Sequence, residues 1–196
     1  MANTAPYSNY ADYCDVYEDC GLFGPRCLMA HSIYTTEQEY TRMKRTGTSV
    51  VHCPDSNFQL MSGFFDAKFT DQMGINIGLG TDVGASGLCS MSDQVCMAER
   101  ISKCRAINAD ASTAYVAIRQ AYEWATMGGA RALGLGDTLG SLDVGKQFDA
   151  IMVDTSFIPD YQIEGETPDQ LFERWLRSGS GKSNIAKVFV AGEQRI

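Results

Sequence analysis

Between residues 10 and 82 the apolar positions alternate between helical spacing and short unbroken runs, and glycine or proline marks most of the changes. Tyr10, Tyr13, Cys14, Tyr17 and Cys20 recur at three- and four-residue steps, which predicts an amphipathic helix stopped by Gly21 and Gly24-Pro25. The run Cys27-Leu28-Met29-Ala30 then predicts a strand ending on His31. Thr36 with Glu39 forms a capping-box pattern that opens a helix through Tyr40, Met43 and Lys44, with Gly47 as its stop. A second strand, Thr48 to Val51, ends on His52 and breaks at Pro54. Phe64, Phe65, Lys68, Phe69 and Met73 predict a further helix closed by Gly74, before a third strand from Ile75 to Thr81 that ends on Asp82. Short connections between these elements imply βαβαβ with a parallel sheet.

Beyond Asp82 the Gly84-Ala85-Ser86-Gly87 loop leads into a long helical pattern through Met91, Val95, Ala98, Ile101 and Cys104. A second helix is expected from about Ser112 to Met127, interrupted by Gly128-Gly129 before a short helical piece, Ala130 to Leu133. The character changes near Gly134. A turn-rich stretch, Leu139 to Lys146, precedes a strand from Phe148 to Asp154, and Thr167-Pro168 caps a helix through Leu171, Trp175 and Leu176. The last strand, Ile185 to Ala191, meets Gly192 with no return partner expected, like a truncated hairpin.

Composition narrows the function classes. The 196 residues suffice for one sizeable core, but a closed eight-stranded barrel usually needs about 250. A formal net charge of −8 argues against nucleic acid and anionic membrane as partners, since both select for clustered Lys and Arg. Seven cysteines, with no CxxC pair and several in apolar settings, read as buried free thiols in a reducing compartment. The N-terminal Met-Ala-Asn-Thr-Ala-Pro has neither a basic nor an apolar leader region, and the expected location is cytoplasmic.

The candidate chemistry sits at strand ends. Both histidines of the chain, His31 and His52, and the carboxylate Asp82 each follow a predicted strand. In a parallel α/β barrel the carboxyl ends of neighbouring strands open on one face, where reactive groups gather. A lone histidine is more often structural than a ligand, but imidazole and carboxylate together suit Zn²⁺. Cys53 beside His52 is rejected as a thiol dyad, because adjacent strand residues point to opposite faces. Gly78-Leu79-Gly80 lacks the rest of a dinucleotide fingerprint and reads as close packing near the strand end.

Ala30-His31, His52-Cys53-Pro54-Asp55-Ser56-Asn57, Gly78-Leu79-Gly80-Thr81-Asp82, the stretch Ala125 to Leu135, and Leu139 to Lys146 followed by Phe148-Asp149-Ala150 stand in this order over nearly the whole chain. This series resembles the amidohydrolase superfamily, and within it the guanine deaminase branch. The resemblance implies a partial (β/α)8 TIM-type barrel over residues 1–138, holding its last three strands and their helices. Residues 139–196 would then be part of a small β-sandwich with one helix. It implies a zinc hydrolase converting guanine to xanthine and ammonia, with His31 and Asp82 at the metal and Asp82 and His52 as catalytic groups. The family's paired His-x-His, a further histidine, its general-acid glutamate and the purine-binding Gln and Arg have no counterpart here, as expected if the chain begins just after strand five. Three readings stay open: a guanine deaminase portion inactive alone; a non-catalytic half-barrel module, self-associating or pairing with an intact subunit; and a deaminase acting on a pterin, triazine or nucleoside.

Overall fold

Residues 9–109, 114–157, 164–178 and 184–196 are described by a computed structural model. Each early element forms where its local chemistry demands. Helix α1 (Tyr13–Asp19) starts at Asp12, whose side chain accepts the Asp15 backbone N–H. Strand β1 (Leu28–Ala30) follows, then α2 (Glu37–Thr46), opened by the reciprocal Thr36–Glu39 capping box and closed by Gly47 at φ 76. Strand β2 (Ser49–His52), α3 (Pro54–Gln59), α4 (Ala67–Gln72) and β3 (Ile77–Leu79) complete the first part.

The expected parallel sheet is present, in the order β1-β2-β3. Its register places Ala30 beside Val51, Val51 beside Gly78 and His52 beside Leu79, so the carboxyl ends of all three strands are level. The sheet buries Val50 and Ile77 against Tyr40, Met43 and Phe65 on one side of the chain's apolar core. Helix α5 (Met91–Ala109) adds Val95 and Ala98 to that core.

Several expectations need correction. Pro54 does not merely end β2; it occupies the first turn of α3, where its missing N–H costs nothing. The helix expected from Ser112 is shorter: Ser112 lies outside the described residues, and α6 spans Ile118–Glu123. Gly128-Gly129 does not interrupt the helix either. A π-helical turn, Trp124–Gly128, carries it directly into α7 (Gly129–Ala132), both glycines keeping helical φ near −60°. The reason is close packing. A Cβ on Gly128 would lie 2.1 Å from the Ile77 carbonyl oxygen, so only glycine lets this turn rest on β3. Asn76 Nδ2 donates to the Gly128 carbonyl at 3.1 Å and ties the two together.

The remaining elements form an antiparallel sheet of β4 (Ala150–Val153), β5 (Ile185–Val190) and β6 (Glu193–Gln194), with α8 (Pro168–Ser178) between β4 and β5. The last strand does have a return partner, because the turn at Ala191-Gly192, both at positive φ, folds β6 back on β5. Helix α8 packs on α5 and sinks Trp175 and Leu176 into the same core as the parallel sheet. Arg177 ties it down further through the buried carboxylate of Glu99, with Nη2 to Oε1 at 2.9 Å. Among the described residues no helix is long and apolar enough to cross a membrane.

Replacing Gly128 by alanine gains about 1 kcal/mol of helix propensity and loses more to overpacking, which costs up to about 3 kcal/mol. A net loss of about 2 kcal/mol is expected. Gly24→Ala places a methyl group that meets nothing within 4 Å and serves as the control. Urea midpoints of the two variants, compared with the parent chain, check this.

Candidate active site

Strand β1 ends abruptly. His31 donates its backbone N–H to Val51 O at 2.9 Å, the last ladder contact, and then both His31 and Ser32 take positive φ, 67° and 46°. Asp82, beyond β3, is also left-handed at φ 50. Such conformations are uncommon for residues other than glycine and recur at functional sites. They turn both side chains off the sheet and toward each other: His31 Nε2 and Asp82 Oδ2 lie 3.8 Å apart, with side chains 43% and 37% exposed. That spacing is too long for a hydrogen bond. Two ligand atoms about 2.1 Å from a tetrahedral zinc sit about 3.4 Å apart, so the pair is close to metal-bridging distance.

The first turn of α3 holds this pair, one residue for each task. Asn57 accepts a hydrogen bond through Oδ1 from His31 Nδ1 at 2.8 Å. Ser56 donates its hydroxyl to Asp82 Oδ2 at 2.6 Å. Asp55 secures the loop after Asp82, its Oδ2 accepting from Ser86 Oγ at 2.6 Å and from the Gly87 N–H at 3.1 Å. Gln94 of α5 closes the set by accepting the Asp55 N–H at 3.3 Å and donating to Leu88 O at 3.0 Å. Asp55, Ser56 and Asn57 stand in the motif series of the sequence, but with Pro54 taken as a strand break the sequence assigns them no role at the site. The usable signal was proline at a helix start followed by three short polar side chains.

His52 stands apart from the exposed pair. It is buried to 1% exposure, with its ring centroid 4.7 Å from that of Phe65, and its Nδ1 has no hydrogen-bond partner. Burial, helped by the nearby charge of His31, pushes its pKa down to about 3. It is therefore a neutral imidazole at physiological pH. Cys53, next to it, is buried with its thiol pushed up to about 11, first by burial and then by the Asp82 charge, so it offers no thiolate. Gly80 permits the tight approach here: a Cβ would meet Val51 Cγ1 at 2.9 Å and Cys53 Sγ at 3.2 Å. The cysteines as a set are less buried than expected, since Cys20, Cys89 and Cys104 are exposed.

His31 and Asp82 supply two of the three protein ligands that a catalytic zinc takes, a fourth position being left open. Among the described residues, the one group of three metal-capable side chains lies elsewhere, at Asp12, Cys14 and Glu39. Those groups are already engaged. Asp12 caps α1 and pairs with Arg42, Glu39 Oε2 accepts from the Thr36 N–H at 2.8 Å, and burial pushes the Cys14 thiol up to about 12.

The sequence signature of the amidohydrolase family matches residues 5–195. The chain is 33% identical over 195 residues to a guanine deaminase of Pongo abelii, covering 96% of this chain and 42% of that protein. Its fold superposes with a TM-score of 0.87 on the crystal structure of guanine deaminase from C. acetobutylicum with guanine in the active site, at 31% identity and over 97% of this chain and 44% of that one. An adenosine deaminase from Xanthomonas campestris with bound zinc is similar at 32% identity and TM-score 0.79, over 96% of this chain and 41% of that one. The chain thus spans less than half the length of these relatives.

The depressed His52 pKa fixes a pH dependence. An unfolded histidine binds a proton near 6.5, whereas the folded one does so only near 3. Stability is therefore fully present above about pH 6.5 and falls as the pH drops through that window, by about 2 kcal/mol between pH 7 and 5. Urea denaturation at both pH values should show this increment in the parent chain and not in His52→Gln.

Proposed function

The chain belongs to the amidohydrolase family, and on that premise we propose that it supplies the His31, His52 and Asp82 portion of a zinc-dependent guanine deaminase site, converting guanine to xanthine and ammonia. The observation that carries this reading is the His31–Asp82 pair, 3.8 Å apart on the level ends of parallel strands, in a chain about one-third identical to guanine deaminases. In this reading residues 1–138 are the last part of a barrel and 139–196 part of a small β-sandwich with one helix.

Here His31 and Asp82 hold the metal. When bound, zinc would lower the pKa of a coordinated water from 15.7 toward about 7 and so supply a nucleophile for the purine carbon bearing the amino group. Asp82 acts as general base: Ser56 occupies its Oδ2, leaving Oδ1 to accept the proton. His52, held neutral, is a hydrogen-bonding group of the floor rather than a proton donor. With two metal donors in place of three, the 196-residue chain alone neither grips zinc tightly nor turns over.

A second reading, a nucleoside deaminase, is favoured by the 32% identity to the zinc-bound adenosine deaminase, which is no lower than that to the guanine deaminase structure.

Ammonia release from guanine by the purified chain with added Zn²⁺ should not exceed that of His31→Ala; turnover well above that control would overturn the inactivity. Co-expression with the unmatched part of the C. acetobutylicum enzyme should restore zinc-dependent release from guanine and lose it in Asp82→Asn. Restoration with adenosine but not guanine would select the second reading.

A further inference from the structure

We infer that Asn57 is a positioning residue that locks His31 in the Nδ1–H tautomer and thereby points the Nε2 lone pair at Asp82. Asn57 is 1% exposed, and it is fixed at both ends of its own peptide unit: its N–H donates to Cys53 O at 3.0 Å, and its carbonyl accepts from the Ser62 N–H at 2.9 Å. Its side chain can move little. Its Oδ1, 2.8 Å from His31 Nδ1, is an acceptor only, so the imidazole nitrogen facing it must carry the proton. A neutral imidazole has one N–H, and Nε2 is then a bare lone pair.

Two further observations agree. Had Nε2 carried the proton, the Asp82 carboxylate beside it would accept it at ordinary hydrogen-bond distance; the separation is instead 3.8 Å. The hydrogen bond to His31 is also the only one the Asn57 side chain makes among the described residues, its Nδ2 being buried and unpartnered. Losing it would leave the whole buried amide unsatisfied, an arrangement that folded proteins avoid. Fixing a histidine tautomer through its second nitrogen is the general way in which outer-shell groups orient a ligand. The tautomer holds whether or not zinc binds, but its use in orienting a metal ligand rests on the reading above.

The chain's two histidines make the test direct. Long-range ¹H–¹⁵N spectra of the ¹⁵N-labelled chain at pH 8.5, with His31→Gln to assign the signals, report each ring's tautomer. His31 is expected as Nδ1–H in the parent. Asn57→Ala should shift it mostly to Nε2–H, and Asn57→Asp, which keeps an acceptor in place, should retain Nδ1–H. An Nε2–H ring in the parent, or an unchanged Nδ1–H ring in Asn57→Ala, overturns the inference. If Asn57→Ala does not fold, the parent and Asn57→Asp decide it: Nδ1–H in both supports it, and Nε2–H in either refutes it. Zn²⁺ added after the labelled chain is assembled with the unlabelled unmatched part of the C. acetobutylicum enzyme separates the two ideas. An Nδ1–H ring whose Nε2 signal ignores zinc sinks the metal reading and leaves the tautomer lock standing.

Discussion

Parallel pairing of three short strands, level at their carboxyl ends, is the constraint from which this site follows. With Ala30 beside Val51 and His52 beside Leu79, the chain leaves all three strands at one rim. A one-residue slip in any pair would send the following side chain to the opposite face. The register is held by the core below it, where Val50 and Ile77 are fully buried. Above it, left-handed backbone at His31 and Asp82 converts two strand ends into a facing pair. Strain at the rim is thus carried by packing beneath.

Close approach is the second theme, and glycine makes it available at two places. Gly80 lets the ends of β2 and β3 draw together, and Gly128 lets a π-helical turn sit against the Ile77 carbonyl. At Gly128 the limit is backbone, the Ile77 carbonyl; at Gly80 it is the Val51 and Cys53 side chains. The outcome is a close-packed floor under the rim. Its polar members, His52 and Asn57, are dehydrated enough that their protonation and hydrogen bonding are set by neighbours rather than by water.

The division of labour between rim and floor explains why His31 and His52 differ so sharply. One ring is 43% exposed, faces a carboxylate and is gripped by an amide; the other is sealed against Phe65 and held neutral. Side chains of one type at two neighbouring strand ends acquire different chemistry from their solvent access and their partners. The α3 turn binds the arrangement together, since Asp55, Ser56 and Asn57 reach the loop, the carboxylate and the imidazole in turn.

Much of the architecture was legible in the residue pattern, for local reasons. The Thr36–Glu39 box, Gly47 and the apolar runs before His31, His52 and Asp82 encode their elements within a few neighbours, and the parallel order followed from the length of the connections. The helix at Pro54, the unbroken passage through Gly128-Gly129 and the return strand at Glu193 were not, because each depends on what the segment meets elsewhere: β3 for the glycines, β5 for the final turn. The site divides in the same way. The sequence placed His31, His52 and Asp82 at strand ends, but only the tertiary structure decided that two of them face each other in solvent while the third is buried. Exposure and distance are properties of packing between segments far apart in the chain, and no local pattern carries them.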